Sequence, residues 1–255
     1  MPKQLRAADY RTDKSDNPHY LRNYESLFGD IASKEIKLLE LGVDKGGSLL
    51  MWRDYFERGT IVGLDLNAVK VDDPTGRIHV YQGRQEDTTL LSHIAQEQAP
   101  DGFDVIIDDC SHIGELTRIS FWHLFRHHLK PGGIYAIEDW GTGYWGWWAD
   151  GRDYRAGQPA ASNTRTSRLR SVLSLLADSR LARRTTLLRR FLSHYRYSRR
   201  LASHDYGMVG FVKELVDECG MGDITHAKWG KPPYRPSTFD RMQISHGHVI
   251  VFKGR

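Results

Sequence analysis

The 255-residue chain is 40% hydrophobic and 27% charged, and 36 Lys and Arg against 32 Asp and Glu give it a formal net charge of +4. This is the composition of an ordinary globular protein, and the length suits one large α/β domain, 1–255, better than two small ones. No apolar run approaches the ~20 residues of a membrane-spanning helix, MPKQLRAADYRTDK does not read as a signal peptide, and Cys110 and Cys219 form neither a disulfide framework nor a metal pair, so a cytoplasmic setting is expected.

In chain order, residues 1–33 are polar and aromatic and end in HYLRNYESLFGDIA, which predicts a helical N-terminal cap. Five apolar runs of high β-propensity follow: IKLLELG (36–42), TIVGLDL (60–66), RIHVYQG (77–83), FDVIIDD (103–109) and GIYAIED (133–139). SLLMWRDYF and TLLSHIAQEQ, between them, have helix length. Near-continuous apolar strands alternating with helices predict an α/β fold, a doubly wound parallel sheet buried on both faces.

After Asp139 the pattern changes. WGTGYWGWWADGRDY is aromatic and glycine-rich, QPAASNTRTS reads as loop, and Arg168 to Arg200 reads as basic amphipathic helix, with Leu169, Leu173, Leu176, Leu187 and Leu188 on its apolar positions. The stretch 140–205 is therefore read as an Arg-rich lid or insertion. MVGFVKELVDECG (208–220) predicts a helix closed by Gly220, and HVIVFKG (248–254) a final strand. From Gly151 to Arg200, thirteen arginines against Asp153 and Asp178 give a local charge of +11, leaving −7 for the rest of the chain. Such a block suits nucleic acid, a membrane surface or an anionic substrate; it equally suits a solvated helical face or a contact in a homo-oligomer.

All five strands end in polar or acidic residues: Glu40, Asp65, Gln82, Asp108 with Asp109, and Glu138 with Asp139. Ligands of open α/β sheets lie beyond the carboxyl ends of the strands, where these acids fall. Past Glu40, Gly42, Gly46 and Gly47 turn the chain into a helix starting near Ser48, whose free N–H groups can receive a ligand. The spacing Gly-x-x-x-Gly-Gly departs from the Gly-x-Gly-x-x-Gly of dinucleotide binders and favours an adenosyl ligand carrying an amino acid. Asp65, 23 residues after Gly42, is positioned to accept both ribose hydroxyls, with a turn or cap as its plainer role. Gln85 and Asp87 fall near the expected adenine, and Asp108 is grouped with the cofactor residues.

Asp108-Asp109 and Glu138-Asp139 end neighbouring strands, with His112 three residues past Asp109. Crowded carboxylates repel unless a cation sits among them, and a hard divalent ion takes oxygen ligands such as Asp109, Glu138 and Asp139. Helix caps and surface ion pairs are the alternative use of such acids. His112 has the chemistry of a general base, since imidazole titrates near ~6.5, whereas a sugar hydroxyl yields its proton only where its alkoxide is stabilised by a metal.

TDK (12–14), LLELGVDKGGSLLMWRDYF, IVGLDL, DDCSH and PGGIYAIEDW together resemble the Mg²⁺-dependent sugar O-methyltransferases of the macrolide type, over roughly residues 10–145 and more loosely in the last strand. The resemblance implies a Rossmann-like class I methyltransferase fold with a seven-stranded, mostly parallel sheet and a helical lid. It also implies S-adenosylmethionine and Mg²⁺ as cofactors and Asp109, Glu138 and Asp139 as metal ligands. His112 is then the base, acting beside Asp109 on an acceptor sugar whose neighbouring hydroxyls meet the ion. Catechol-type methyltransferases are less similar, because Cys110, Ser111 and His112 stand where their Asp-x-x-Lys pattern would run.

Two departures bear on the acceptor. Cys110 replaces a usual glycine, and the arginine block is foreign to the antibiotic enzymes, which points to an oligosaccharide or polysaccharide precursor such as a methylated mannoside of the mycobacterial kind. Trp140, Tyr144, Trp145, Trp147 and Trp148 suit stacking on sugar faces, or plain packing. The rival readings are a nucleic-acid-binding protein or RNA methyltransferase using the arginines, and a nicotinamide-dependent oxidoreductase, against which the glycine spacing speaks.

Overall fold

The computed structural model describes residues 4–152 and 204–255. Five predicted runs form β1 (Lys37–Leu41), β2 (Thr60–Asp65), β3 (Ile78–Gln82), β4 (Phe103–Asp108) and β5 (Leu129–Glu138). The last predicted run forms β7 (His248–Lys253), and an unpredicted strand, β6 (Phe239–Ile244), precedes it. The helices are α1 (Pro18–Phe28), α2 (Gly47–Tyr55), α3 (Thr88–Gln98), α4 (Gly114–His127), α5 (Gly207–Cys219) and the short α6 (Met221–Ile224). Of the predicted insertion, Trp140–Tyr144 forms a 3-10 turn, while 153–203, including the predicted basic helices, lies outside the described residues.

The strand order is β3-β2-β1-β4-β5-β7-β6. β1 to β5 pair in parallel, and β7 runs antiparallel to both β5 and β6. β6 escapes sequence reading because it is an edge: within FDRMQI only Phe239 is buried, and Asp240, Arg241 and Gln243 erase any apolar run. β5 begins earlier than predicted, at Leu129. Its register against β4 jumps between the pairs Phe103–Leu129 and Val105–Ile134, so the extra residues around exposed Pro131 and Gly132 bulge from the ladder.

Alternate residues of each central strand feed two cores, which explains why the strands read as continuously apolar. Leu38, Ile61, Val105, Ile107 and Ala136 meet Tyr24 and Phe28 of α1 and Leu49 and Trp52 of α2 on one face. Leu39, Val62, Ile106, Tyr135 and Val251 meet Leu91 of α3, Phe121 and Leu124 of α4 and Phe211 of α5 on the other. Local signals set the helix starts: Pro18 is the first residue of α1, and the Asn17 carboxamide oxygen accepts from His19 N–H at 3.1 Å. From β1 the chain winds out to β2 and β3 and returns on the opposite side at β4. The carboxyl ends of β1 and β4 therefore flank the crevice where such sheets take ligands. Among the described residues no helix is long and apolar enough to cross a membrane.

Candidate active site

The loop after β1 is shaped by close approach. Gly42 has φ +82°, and a Cβ there would stand 2.2 Å from the carbonyl oxygen of Asp109, so only glycine lets the β1 and β4 loops touch. Glu40, fully buried, has its carboxylate oriented from α2: Ser48 Oγ donates to it at 2.6 Å and Trp52 Nε1 at 3.2 Å. Gly46, in the left-handed region, precedes α2 without a side-chain cap, so the first N–H groups of that helix are not taken by a capping side chain. Asp65 ties this loop down. Its Oδ2 accepts from the N–H groups of Val43 (3.0 Å) and Asp44 (3.1 Å), and its Oδ1 from Asn67 N–H (2.8 Å).

Asp109, His112 and Asp139 come together past the tips of β4 and β5, with one potential ligand atom from each within 4.8 Å of the others. His112 Nε2 lies 3.8 Å from Asp109 Oδ1 and 3.9 Å from Asp139 Oδ2. His112 and Asp139 both have φ +51°, and the only other non-glycine residue with positive φ among those described is Asp44, in the loop after β1. Such backbone is uncommon outside glycine, and here all three instances fall at the same edge of the sheet, as expected of a ligand site. The carbonyl of His112 accepts from Thr142 Oγ1 at 3.1 Å, which braces its loop against the turn after β5.

Glu138 is set deeper than Asp139. Its Oε1 accepts from Tyr24 OH at 2.5 Å and from Lys14 Nζ at 2.8 Å. Lys14, absent from the predicted site, has the same ammonium 2.6 Å from Asp109 Oδ2 and 3.4 Å from Glu40 Oε1. Burial works to lower its pKa, but Asp109, Glu138 and Glu40 hold it well above the ordinary lysine value. Burial raises the pKa of Asp109, with added repulsion from Glu138, and Lys14 works in the opposite direction on both carboxyls. Tyr20 OH hydrogen-bonds Asp139 Oδ1. The N-terminal segment thus contributes three donors that composition and spacing did not reveal; the TDK and HYLRNYE motifs were the only trace of them.

Three residues grouped with the cofactor end bond within the protein. Asp87 caps α3, accepting from the N–H groups of Thr89 and Leu90, both at 3.1 Å. Asp108 points to the opposite face from Asp109, as neighbours on a strand must. Buried there, it accepts from Ser120 Oγ at 3.0 Å and Tyr135 OH at 3.2 Å, and desolvation lifts its pKa to about 6. Gln85, also buried, donates to Asp108 at 3.4 Å and accepts from Ser111 N–H at 3.0 Å, so it supports the loop that carries His112.

Seven strands in this order, with the seventh reversed, are the fold of the class I, Rossmann-like methyltransferases. The chain aligns over its whole length, with a TM-score of 0.67 and 28% identity, to 55% of the MycE methyltransferase from the mycinamycin biosynthetic pathway, solved with Mg and SAH. A further structure of MycE with Mg, SAH and mycinamycin VI gives a TM-score of 0.61 over 98% of this chain and 53% of that one. In sequence, 136 residues are 43% identical to the mycinamicin VI 2''-O-methyltransferase of Micromonospora griseorubida, which is 50% of this chain and 32% of that protein. Over 144 residues the chain is 40% identical to the demethylmacrocin O-methyltransferase of Streptomyces fradiae, covering 53% and 35%. The matched half of the chain thus spans about a third of the length of these curated relatives. No family model matches. The resemblance to macrolide-type sugar O-methyltransferases read from the motifs is upheld by these similarities.

Proposed function

We propose that the protein is an S-adenosylmethionine-dependent O-methyltransferase acting on a sugar hydroxyl of a glycoside, with a divalent ion such as Mg²⁺ at the tips of β4 and β5. The observation that carries this reading is the convergence of Asp109, His112 and Asp139 within 4.8 Å, one strand away from the glycine loop that follows Glu40.

The residues fit a hard cation. Asp109 and Asp139 offer converging carboxylate oxygens, with Glu138 deeper, and three acids outnumber the single Lys14 ammonium that pairs with Asp109 at 2.6 Å and Glu138 at 2.8 Å. When bound, Mg²⁺ supplies electrostatic stabilisation of a developing alkoxide, and S-adenosylmethionine supplies an activated methyl group. Glu40 and the first turn of α2 would receive the amino-acid end of that cofactor, with Asp65 shaping the loop beside it. His112 Nε2 takes the proton from the acceptor hydroxyl. The Asp109 and Asp139 carboxylates beside it stabilise the imidazolium that forms.

The acceptor class follows from the relatives' sugar substrates and from the aromatics past β5. Trp145 and Trp147 stack at 5.3 Å and remain 41% and 74% exposed, and the Trp148 ring lies 5.7 Å from His112. An indole beside the base, with the exposed Trp147 ring against it at 5.3 Å, suits the C–H faces of a sugar. Whether the acceptor is a macrolide glycoside, a rhamnoside or a mannosyl oligosaccharide is decided by assaying methyl transfer to all three. Activity should vanish in EDTA and return with Mg²⁺. Full turnover in EDTA by purified protein would remove the metal from the mechanism.

A further inference from the structure

We infer that Lys14, Tyr20 and Tyr24 form a positioning layer for the metal-binding carboxylates, together holding one oxygen of each acid and leaving the opposite oxygen to the ion. This rests on the reading proposed above. Asp109 and Asp139 share one geometry, and Glu138, outside their 4.8 Å cluster with His112, has one oxygen that neither donor holds. Asp109 gives Oδ2 to Lys14, at 2.6 Å, while Oδ1 faces His112. Asp139 gives Oδ1 to Tyr20, while Oδ2 faces His112. Glu138 gives the single atom Oε1 to both Lys14 and Tyr24, at 2.8 and 2.5 Å, so that Oε2 stands outside both bonds.

All three donors come from one short stretch, the 3-10 turn Asp13–Asp16 and the first two turns of α1. That stretch is clamped to the cofactor loop: a Cβ on Gly47 would stand 2.1 Å from the carbonyl of Arg11. Tyr24 and Lys14 are buried, and Tyr20 is only 7% exposed, which fixes their rotamers. A compact ammonium with three donors can serve Asp109, Glu138 and Glu40 at once, which a planar guanidinium cannot do from the same point. Outer partners of this kind orient metal ligands and are typically worth about 10- to 100-fold in metal affinity.

The test is Mn²⁺ affinity of the full chain by titration calorimetry, for the wild type, Lys14→Met, Tyr20→Phe and Tyr24→Phe, with melting temperature and S-adenosylhomocysteine affinity measured alongside. Lys14→Met should bind Mn²⁺ about 10- to 100-fold more weakly. The two tyrosine variants alter no charge and should each lose about threefold or more in affinity while binding the nucleoside normally. Wild-type or tighter Mn²⁺ binding by folded variants overturns the inference, since the donors would then only fill space or compete with the ion. If Lys14→Met fails to fold, Tyr20→Phe decides. A wild type that binds S-adenosylhomocysteine but no divalent ion would overturn both this inference and the metal mechanism. Failure of the layer alone leaves a wild type that binds both ligands.

Discussion

His112 Nε2 and Asp139 Oδ2 stand 3.9 Å apart, and both residues hold their backbones in the left-handed region. Two neighbouring loops thus carry the same uncommon conformation to bring an imidazole and a carboxylate into one pocket. Replacing His112 by alanine should lower kcat by about 10²- to 10⁴-fold, the usual span of a general base. Affinity for S-adenosylhomocysteine should stay within a few-fold, because the glycine loop is untouched. Steady-state assay with calorimetry checks both, and wild-type turnover would dismiss His112 as the base.

Gly42 separates the two ends of the site by almost nothing. Gly42→Ala would put a methyl group 2.2 Å from Asp109 O at φ +82°, so the β4 loop must move. The expected cost is about 1–3 kcal/mol of stability, together with weaker binding of both nucleoside and divalent ion. Urea unfolding and ligand titration measure this; a variant with native affinity for both ligands would show that the contact is dispensable.

Asp87 distinguishes a cap from a ligand contact. Its Oδ1 accepts from two N–H groups at the start of α3. Asp87→Ala should therefore destabilise the protein by about 1 kcal/mol and leave S-adenosylhomocysteine affinity unchanged. A selective loss of nucleoside binding at unchanged stability would return Asp87 to the cofactor site.

His248 predicts an acid limit to stability. Its ring is fully buried, Nδ1 pairs with Asn23 Nδ2 at 3.0 Å, and the ring packs on Tyr20 and Tyr24. Burial, with smaller contributions from Lys14 and His246, lowers its pKa to about 3. A folded-state value below the unfolded one means the stability is whole above about pH 6.5 and is lost as pH falls towards 3, at up to about 1.4 kcal/mol per unit. Between pH 6.5 and 5 His248 draws the melting temperature down as pH falls, while Asp108, lifted to about 6, works in the opposite sense. His248→Gln should flatten that slope, and an unaltered slope would point to other groups.

The strands, their order of chemistry and the acidic tips were legible from the sequence because each is a local property. Leu38 and Leu39 face opposite cores, so β1 had to read as continuously apolar, and the same holds for Ile61 with Val62 and Val105 with Ile106. Glu40, Asp109 and Asp139 stand out in the sequence because the carboxyl end of a parallel strand is where such folds bind ligands. Edge strand β6 was hidden because solvent on its exposed face permits any polar residue.

Which side of each strand tip an acid serves is settled by the packing. Asp108 and Asp109 are indistinguishable as letters, yet the pleat turns one into the packing of α4 and the other towards His112. Lys14 lay beyond sequence reasoning for a related reason. Its partner Asp109 is 95 positions away, and no periodicity or spacing encodes a contact made by laying the N-terminal turn across the ends of β1, β4 and β5. Local residue patterns were enough to specify the sheet and the chemistry available at its edge. Folding determined which carboxylate oxygens are held by protein and which are left free to meet a ligand, because that depends on donors brought from remote parts of the chain.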